Sequence, residues 1–293
     1  MMKFYSVFFA LFLMVFNLPV YAESVQIKHH DVMLNGVLTL AKGKSLANES
    51  LIVMVHGTLG HAQMDTLSTL QATLNDHDFN VLSINLSLGQ NDRALQLYPC
   101  EQTHTHRHTD ALEEINAWLQ WAKAQNAGNI VLLGHSRGGN QAAWFVSQNE
   151  VPQVTALVLL APMTRVNVTL TETQQALLTK AKQLVNDDKA NELLSKIAFL
   201  YCPETQATAA TFVSYYEPVP EMHTPYLLPS IKIPTLVISG SEDNISVNLA
   251  NEMAALTAQF SHIVHHDIMG ADHFFRDLYA DDVVEIMNGF LNR

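Results

Sequence analysis

One rhythm constrains this chain more than any other feature: short apolar runs recur with helix-length stretches between them. "LIVMVHG", Leu51 to Gly57, begins as an unbroken aliphatic run, and "NIVLLG", "VTALVLLAP" and "PTLVISG" repeat the pattern further along. A strand that is apolar on every residue, rather than on alternate residues, is covered on both faces. The segments between carry helical spacing instead. In "DALEEINAWLQWAKAQ", Leu112, Ile115, Leu119 and Ala122 share one face, with Asp110 expected as the N-cap and Glu113 three residues on. Further helices are expected from about Met64 to Leu74, from Asn140, over "VNLANEMAALTAQ" and up to Phe290, and further strands at "VLSINLSL" and "HIVHHDIMG". Strands alternating with helices give an α/β fold, a mostly parallel central sheet with helices on both faces. The beginning differs: "SVQIKHHDVMLNGVLTLAKG" alternates apolar and polar residues around Asn35-Gly36, which predicts an N-terminal antiparallel hairpin turning there.

The rhythm stops between Ala161 and Pro234. A polar, mainly helical pattern ("TETQQALLTKAKQLVNDDKANELLSKIAFL") and a proline-rich stretch ("EPVPEMHTPYLLPSIKIP") fill the gap. We read them as an inserted helical cap at about 162–233, lying over the carboxyl edge of the sheet. The rest is one domain, which at this length buries enough surface to need no metal staple.

The first residues, "MMKFYSVFFALFLMVFNLPVYAES", have the order of a secretory signal: an early lysine, an apolar run, Pro19 and small residues near Ala22. Cleavage after Ala22 would leave a domain of residues 23–293 in a secreted or periplasmic location. The apolar run is interrupted at Asn17 and falls short of the roughly 20 residues that span a bilayer, so no stable membrane insertion is expected after cleavage. A formal net charge of -12, without a lysine- or arginine-rich run, excludes a nucleic-acid partner on electrostatic grounds. Cys100 and Cys202 are the only cysteines; a disulfide between them and separate burial both remain open at this level.

The chemistry gathers at "GHSRG", Gly134 to Gly138. It matches G-x-S-x-G, and it stands after a buried strand and before a helix, where a tight turn would expose Ser136. In this context the sequence resembles the α/β-hydrolase superfamily, from about Val32 to Phe290. The resemblance implies a Ser-Asp-His triad in that chain order. A serine hydroxyl needs a neighbouring base to remove its proton as it attacks, and His273 in "GADHFF", after the last strand and expected to open the last helix, holds the family's histidine position. Asp243 in "ISGSEDNIS" matches the family's G-x-x-D pattern after Gly240, with Glu242 as local rival and Asp272 as a weaker candidate. Backbone donors must meet the developing oxyanion. The resemblance assigns these to the N–H groups of Arg137 and of Thr58, which follows His56-Gly57 in "HGTLGH"; His56 itself is expected to brace that loop.

Two residues are candidates for substrate contact, His61 and Arg137. The Arg137 guanidinium could hold a substrate carboxylate, or turn away and pair with a structural acid. The tract "CEQTHTHRHTD" sets His104, His106 and His108 at alternate positions, a spacing that admits metal binding in an extended segment, yet we expect a polar loop near the pocket or surface. His265-His266 lie in a strand whose alternating faces forbid joint chelation. The expectation is therefore a serine hydrolase acting on a small acyl substrate, a carboxylic ester or else a thioester or amide, through an acyl-enzyme on Ser136, with no metal and no organic cofactor. A secreted peptidase of the same fold and a non-catalytic binding protein that retains the triad are the alternatives.

Overall fold

Residues 22–165 and 169–292 are described by the computed structural model, so the expected signal segment, apart from Ala22, lies outside the described residues. The chain opens with β1 (Ala22–His29) and β2 (Val32–Thr39). It continues through β3 (Leu51–Val55), α1 (Asp65–Asp76), β4 (Asn80–Asn85), α2 (Asp110–Ala124), β5 (Ile130–His135), α3 (Arg137–Gln148) and β6 (Val154–Leu160). An insertion follows with α4 (Glu172–Asn186), β7 (Leu193–Phe199), β8 (Cys202–Thr208), α5 (Ala209–Tyr216) and the short α6 (Thr224–Leu227). The last elements are β9 (Thr235–Gly240), α7 (Leu249–Thr257), β10 (Ile263–Ile268) and α8 (Tyr279–Leu291).

Eight strands make one sheet in the order β1-β2-β4-β3-β5-β6-β9-β10, in which β2 is antiparallel to both neighbours and the other pairs are parallel. Successive side chains of a strand point to opposite faces, and here both faces are covered. Ile52 and Met54 belong to one hydrophobic cluster with Leu67 and Leu70 of α1 and Val283 and Met287 of α8, while Val53 and Val55 belong to another with Trp118 of α2 and Phe145 of α3. This double burial is why β3 and β5 are apolar without alternation.

The hairpin turns at His30-Asp31, not at Asn35-Gly36, which sit inside β2 opposite Gln26 and Val25. Close packing, not turn geometry, requires the glycine: a Cβ on Gly36 would stand 3.1 Å from the Ser83 carbonyl and 3.3 Å from the Trp118 ring. Asn35 is held by tertiary bonds, its amide donating to the Arg93 carbonyl at 2.8 Å. The helix start is also one residue off. Thr109 precedes α2 without a side-chain cap, and Asp110, its first residue, accepts from the Arg107 N–H at 2.6 Å. Helix α3 begins at Arg137 rather than Asn140.

The insertion is helical only in part. Thr171 and Gln174 form a reciprocal capping box on α4, as a helix start should. The continuation "LLSKIAF" folds as β7, paired antiparallel with β8, with Leu194, Ile197 and Phe199 buried against Phe212 of α5 and Leu178 of α4. The connection between β4 and α2 runs up to this cap. Cys100 forms a disulfide with Cys202 on β8, and His104 pairs through its backbone with β8 on both sides: its N–H donates to Gln206 O and its carbonyl accepts from Thr208 N. No helix among the described residues is long and apolar enough to cross a membrane.

Candidate active site

Ser136 stands between β5 and α3 with φ 56° and ψ -122°, a left-handed conformation for a residue with a side chain. Its neighbours make the turn possible. A Cβ on Gly134 would fall 2.4 Å from the Gly138 carbonyl, and one on Gly138 would fall 2.4 Å from the His56 carbonyl. The strain displays the Ser136 hydroxyl at the carboxyl end of the sheet.

The three residues that sequence order suggests are brought together. Ser136 Oγ is 2.9 Å from His273 Nε2, and His273 Nδ1 is 2.8 Å from Asp243 Oδ2. Both the histidine and aspartate side chains are buried, at 4% and 3% exposure. His273 does not open a helix; it lies in the loop after β10, six residues before α8 begins at Tyr279. Asp243 is oriented by its own backbone, because Oδ1 accepts from Ile245 N at 2.7 Å and Ser246 N at 3.0 Å. Burial works to raise the Asp243 pKa, but hydrogen bonds from His273, Ser246 and Ile245 outweigh it and leave the carboxyl below the usual value. Of the rivals, Glu242 is exposed, and Asp272 accepts from the Phe274 N–H instead.

Thr58 and Arg137 line the same cavity as Ser136. Gly57 packs so closely on Ser136 that a Cβ there would lie 3.1 Å from the serine Cβ. Neither the Thr58 nor the Arg137 backbone N–H donates to an acceptor among the described residues. Their loop is braced from below. His56 Nε2 accepts from Leu86 N at 3.1 Å, which puts its proton on Nδ1, where it donates to Gly57 O at 2.9 Å. Burial, then Arg93, pushes His56 down to about 3. Arg93 donates to Leu86 O, Gln96 O, Gly60 O and Asn85 Oδ1, tying the loops after β3 and β4 into one unit. Sequence reading misses Arg93 entirely, since a single arginine in a polar loop carries no signal. It also misses His135, the second residue of the motif, whose Nε2 donates to the His273 carbonyl at 2.9 Å.

A cavity of about 250 Å³ opens above Ser136. Core residues Thr58 and Arg137 line it together with Arg165, which follows β6, and Tyr215 and Tyr216 from the cap; His61 is not among its lining residues. The Arg137 side chain pairs with no acid among the described residues. Its Nε donates to Thr58 Oγ1 at 3.0 Å, its Nη1 donates to His108 Nδ1 at 3.2 Å, and its guanidinium carbon lies 5.1 Å from the Tyr215 ring centroid. A histidine nitrogen that accepts from arginine is unprotonated, so the His108 proton is on Nε2 and goes to Asn140 Oδ1 at 2.9 Å.

The histidine tract is therefore no surface loop. His104, His106 and His108 are all buried under the cap. His106 lies 3.2 Å from His104 through Nε2 and 2.8 Å from the Tyr215 hydroxyl through Nδ1. Burial, with the neighbouring His104, Arg93 and Arg137, lowers His106 to about 3, and burial followed by Arg137 holds His108 far below the usual histidine range.

Comparison with known proteins gives the family and the fold. The sequence pattern of the family described as "Serine aminopeptidase, S33" matches residues 47–275, which include the whole nucleophile turn, Asp243 and His273. The chain belongs to this family. Solved α/β-hydrolases share its fold: Est1E from Butyrivibrio proteoclasticus is 17% identical with a TM-score of 0.62, covering 92% of this chain and 99% of that one. A monoacylglycerol lipase from Paleococcus ferrophilus is 16% identical with a TM-score of 0.61, covering 88% and 99%. The Pyrococcus furiosus esterase Pf2001 is 16% identical with a TM-score of 0.59, covering 94% and 93%. A curated relative, a probable 1-acylglycerol-3-phosphate O-acyltransferase from Oryza sativa subsp. japonica, is 32% identical over 120 residues, 39% of this α/β-hydrolase. The matched stretch spans about a quarter of that relative, 26% of its length.

Proposed function

We propose that this α/β-hydrolase cleaves a carboxylic ester through an acyl-enzyme on Ser136. The observation that carries the reading is the unbroken chain from Asp243 through His273 to Ser136, beside two N–H groups without acceptors among the described residues. As Ser136 Oγ bonds to the carbonyl carbon, its proton passes to His273 Nε2 and the carbonyl electron pair moves onto oxygen. Thr58 N–H and Arg137 N–H donate to that oxyanion, each worth about 3 kcal/mol in comparable sites. Collapse expels the alcohol, which leaves with the proton from His273. Water then gives a proton to His273 and attacks the acyl carbon; collapse of the second tetrahedral intermediate releases the carboxylic acid as His273 returns that proton to Ser136 Oγ. Asp243 accepts from His273 Nδ1–H throughout and stabilises the imidazolium that forms at each step.

The cavity favours an ester over an aminopeptidase substrate. An aminopeptidase must hold a free ammonium close to the scissile bond, and the cavity lining contains two arginines and no carboxylate. A fluorophosphonate probe tests the central claim: wild-type protein is labelled and Ser136→Ala is not. Unlabelled wild-type protein would sink the hydrolase reading in favour of a binding protein, and labelling that survives Ser136→Ala would move the nucleophile elsewhere. We further infer export to an oxidising compartment, which the Cys100–Cys202 disulfide supports. Fractionation of cells expressing the full chain tests it, and recovery solely in the cytoplasm with both thiols reduced contradicts it.

A further inference from the structure

Two arginines, Arg137 and Arg165, line the cavity above Ser136, and no carboxylate among the described residues forms an ion pair with either. This is unexpected in a chain with 28 acidic residues and a net charge of -12. The partners that hold these arginines are neutral. Arg137 is bound by a threonine hydroxyl and an unprotonated histidine and rests on the face of Tyr215. Arg165 donates to the carbonyls of Tyr215 and Tyr216, at 3.0 and 3.2 Å. Burial, and the repulsion of each cation by the other, depress the Arg137 pKa against the favourable influence of Tyr215.

A cation removed from water without a counter-charge costs several kcal/mol. The fold nevertheless fixes the Arg137 guanidinium with two hydrogen bonds and leaves its Nη2 without an acceptor among the described residues. A rigid, partly engaged guanidinium with a free edge matches the planar carboxylate better than any other common anion. The cavity, at about 250 Å³, lies just below the usual range for small-molecule sites, so the ligand is short. We propose that the ester substrate carries a carboxylate, which the free edge of Arg137 and the guanidinium of Arg165 hold inside this cavity beside the scissile bond. The proposal rests on the esterase reading and narrows it to anionic esters.

Two ester pairs test it. In 4-nitrophenyl hemiglutarate against 4-nitrophenyl pentanoate the charge differs on the acyl half; in 4-acetoxybenzoate against 4-methylphenyl acetate it differs on the alcohol half. The wild-type enzyme should prefer the charged member of at least one pair by tenfold or more in kcat/KM, about 1.4 kcal/mol, and the pair that responds locates the carboxylate. Arg137→Gln should cut that ratio at least tenfold, and Arg165→Gln should lower it as well, which keeps the test available if the first variant folds poorly. Preference for the neutral member in both pairs overturns the proposal. So does an equal slowing of charged and neutral esters in both variants, which would place the guanidinium on the oxyanion instead. Calorimetric titration with glutarate and with 4-hydroxybenzoate reads the same site without turnover. Binding of either to wild-type protein, lost in Arg137→Gln, upholds the anion site even if fluorophosphonate labelling fails, and binding of neither refutes it.

Discussion

His135 Nε2 donates to the carbonyl oxygen of His273, so the residue before the nucleophile holds the backbone of the residue that would activate it. A carbonyl only accepts, and His135 Nδ1 has no partner among the described residues, so the proton sits on Nε2. Burial, then the charge of His273, pushes His135 down to about 4. Its role is positional. His135→Ala should lower kcat by up to about tenfold, the scale of one buried hydrogen bond, while KM stays within about twofold. His135→Gln, which keeps a donor, should recover part of the loss; a KM effect equal to the kcat effect would contradict a role confined to His273.

Stability should fall as the solution is acidified through the weakly acid range. Folding holds His56 and His106 neutral down to about 3 and His135 down to about 4, whereas an unfolded histidine titrates near 6.5. The unfolded chain therefore binds more protons between these limits, and each such histidine contributes a slope of about 1.4 kcal/mol per pH unit there. Asp243, with its lowered pKa, adds a loss only below about pH 4, where the carboxylate itself is protonated. Urea unfolding at pH 7, 6 and 5 should report an uptake of at least two protons; a flat stability over this range would mean that these histidines are charged in the folded state.

The Cys100–Cys202 disulfide joins residues 102 positions apart. On the chain-entropy account, closing a loop of this length stabilises the fold by about 4–5 kcal/mol. The double variant Cys100→Ser, Cys202→Ser should melt roughly 10 °C lower, and reductant should lower the wild-type melting temperature but not the variant's. Identical melting of the two oxidised proteins would show that hydrogen bonding alone fastens the cap.

Two glycines should respond oppositely to the same added methyl group. Gly138→Ala forces a Cβ to within 2.4 Å of the His56 carbonyl and 2.5 Å of the Val55 carbonyl, which rigid backbone cannot avoid. That variant should be strongly destabilised and lose probe labelling. Gly289 lies within α8 with nothing inside 4 Å of an added Cβ, and Gly289→Ala should gain up to about 1 kcal/mol from helix propensity. Thermal melts of the pair check both signs.

Where burial on two faces leaves a mark in composition, the sequence was readable. β3, β5, β6 and β9 announce themselves as apolar runs, and the order Ser136, Asp243, His273 is what the resemblance to the α/β-hydrolases implies. Asn35-Gly36 misled because asparagine followed by glycine also suits a turn, and nothing local reveals that the Trp118 ring lies against Gly36. "LLSKIAF" follows a true helix without a break in polarity, and only the partner strand β8 settles its extended form. His104, His106 and His108 read as a polar loop near the pocket or surface because the cap that buries them lies about a hundred residues further on. Arg137 is held by His108 rather than by an acid, a choice made in three dimensions and written nowhere in its neighbourhood.

The backbone pairing of His104 with β8, next to the disulfide, gives the cap a third, borrowed strand-like edge drawn from the connection between β4 and α2. A flap hinged at both its chain ends swings; one that is also riveted along its flank behaves as masonry. The chamber over Ser136 is thus cast when the chain folds and oxidises, before any substrate arrives, and selection there works as a mould does, by what already fits.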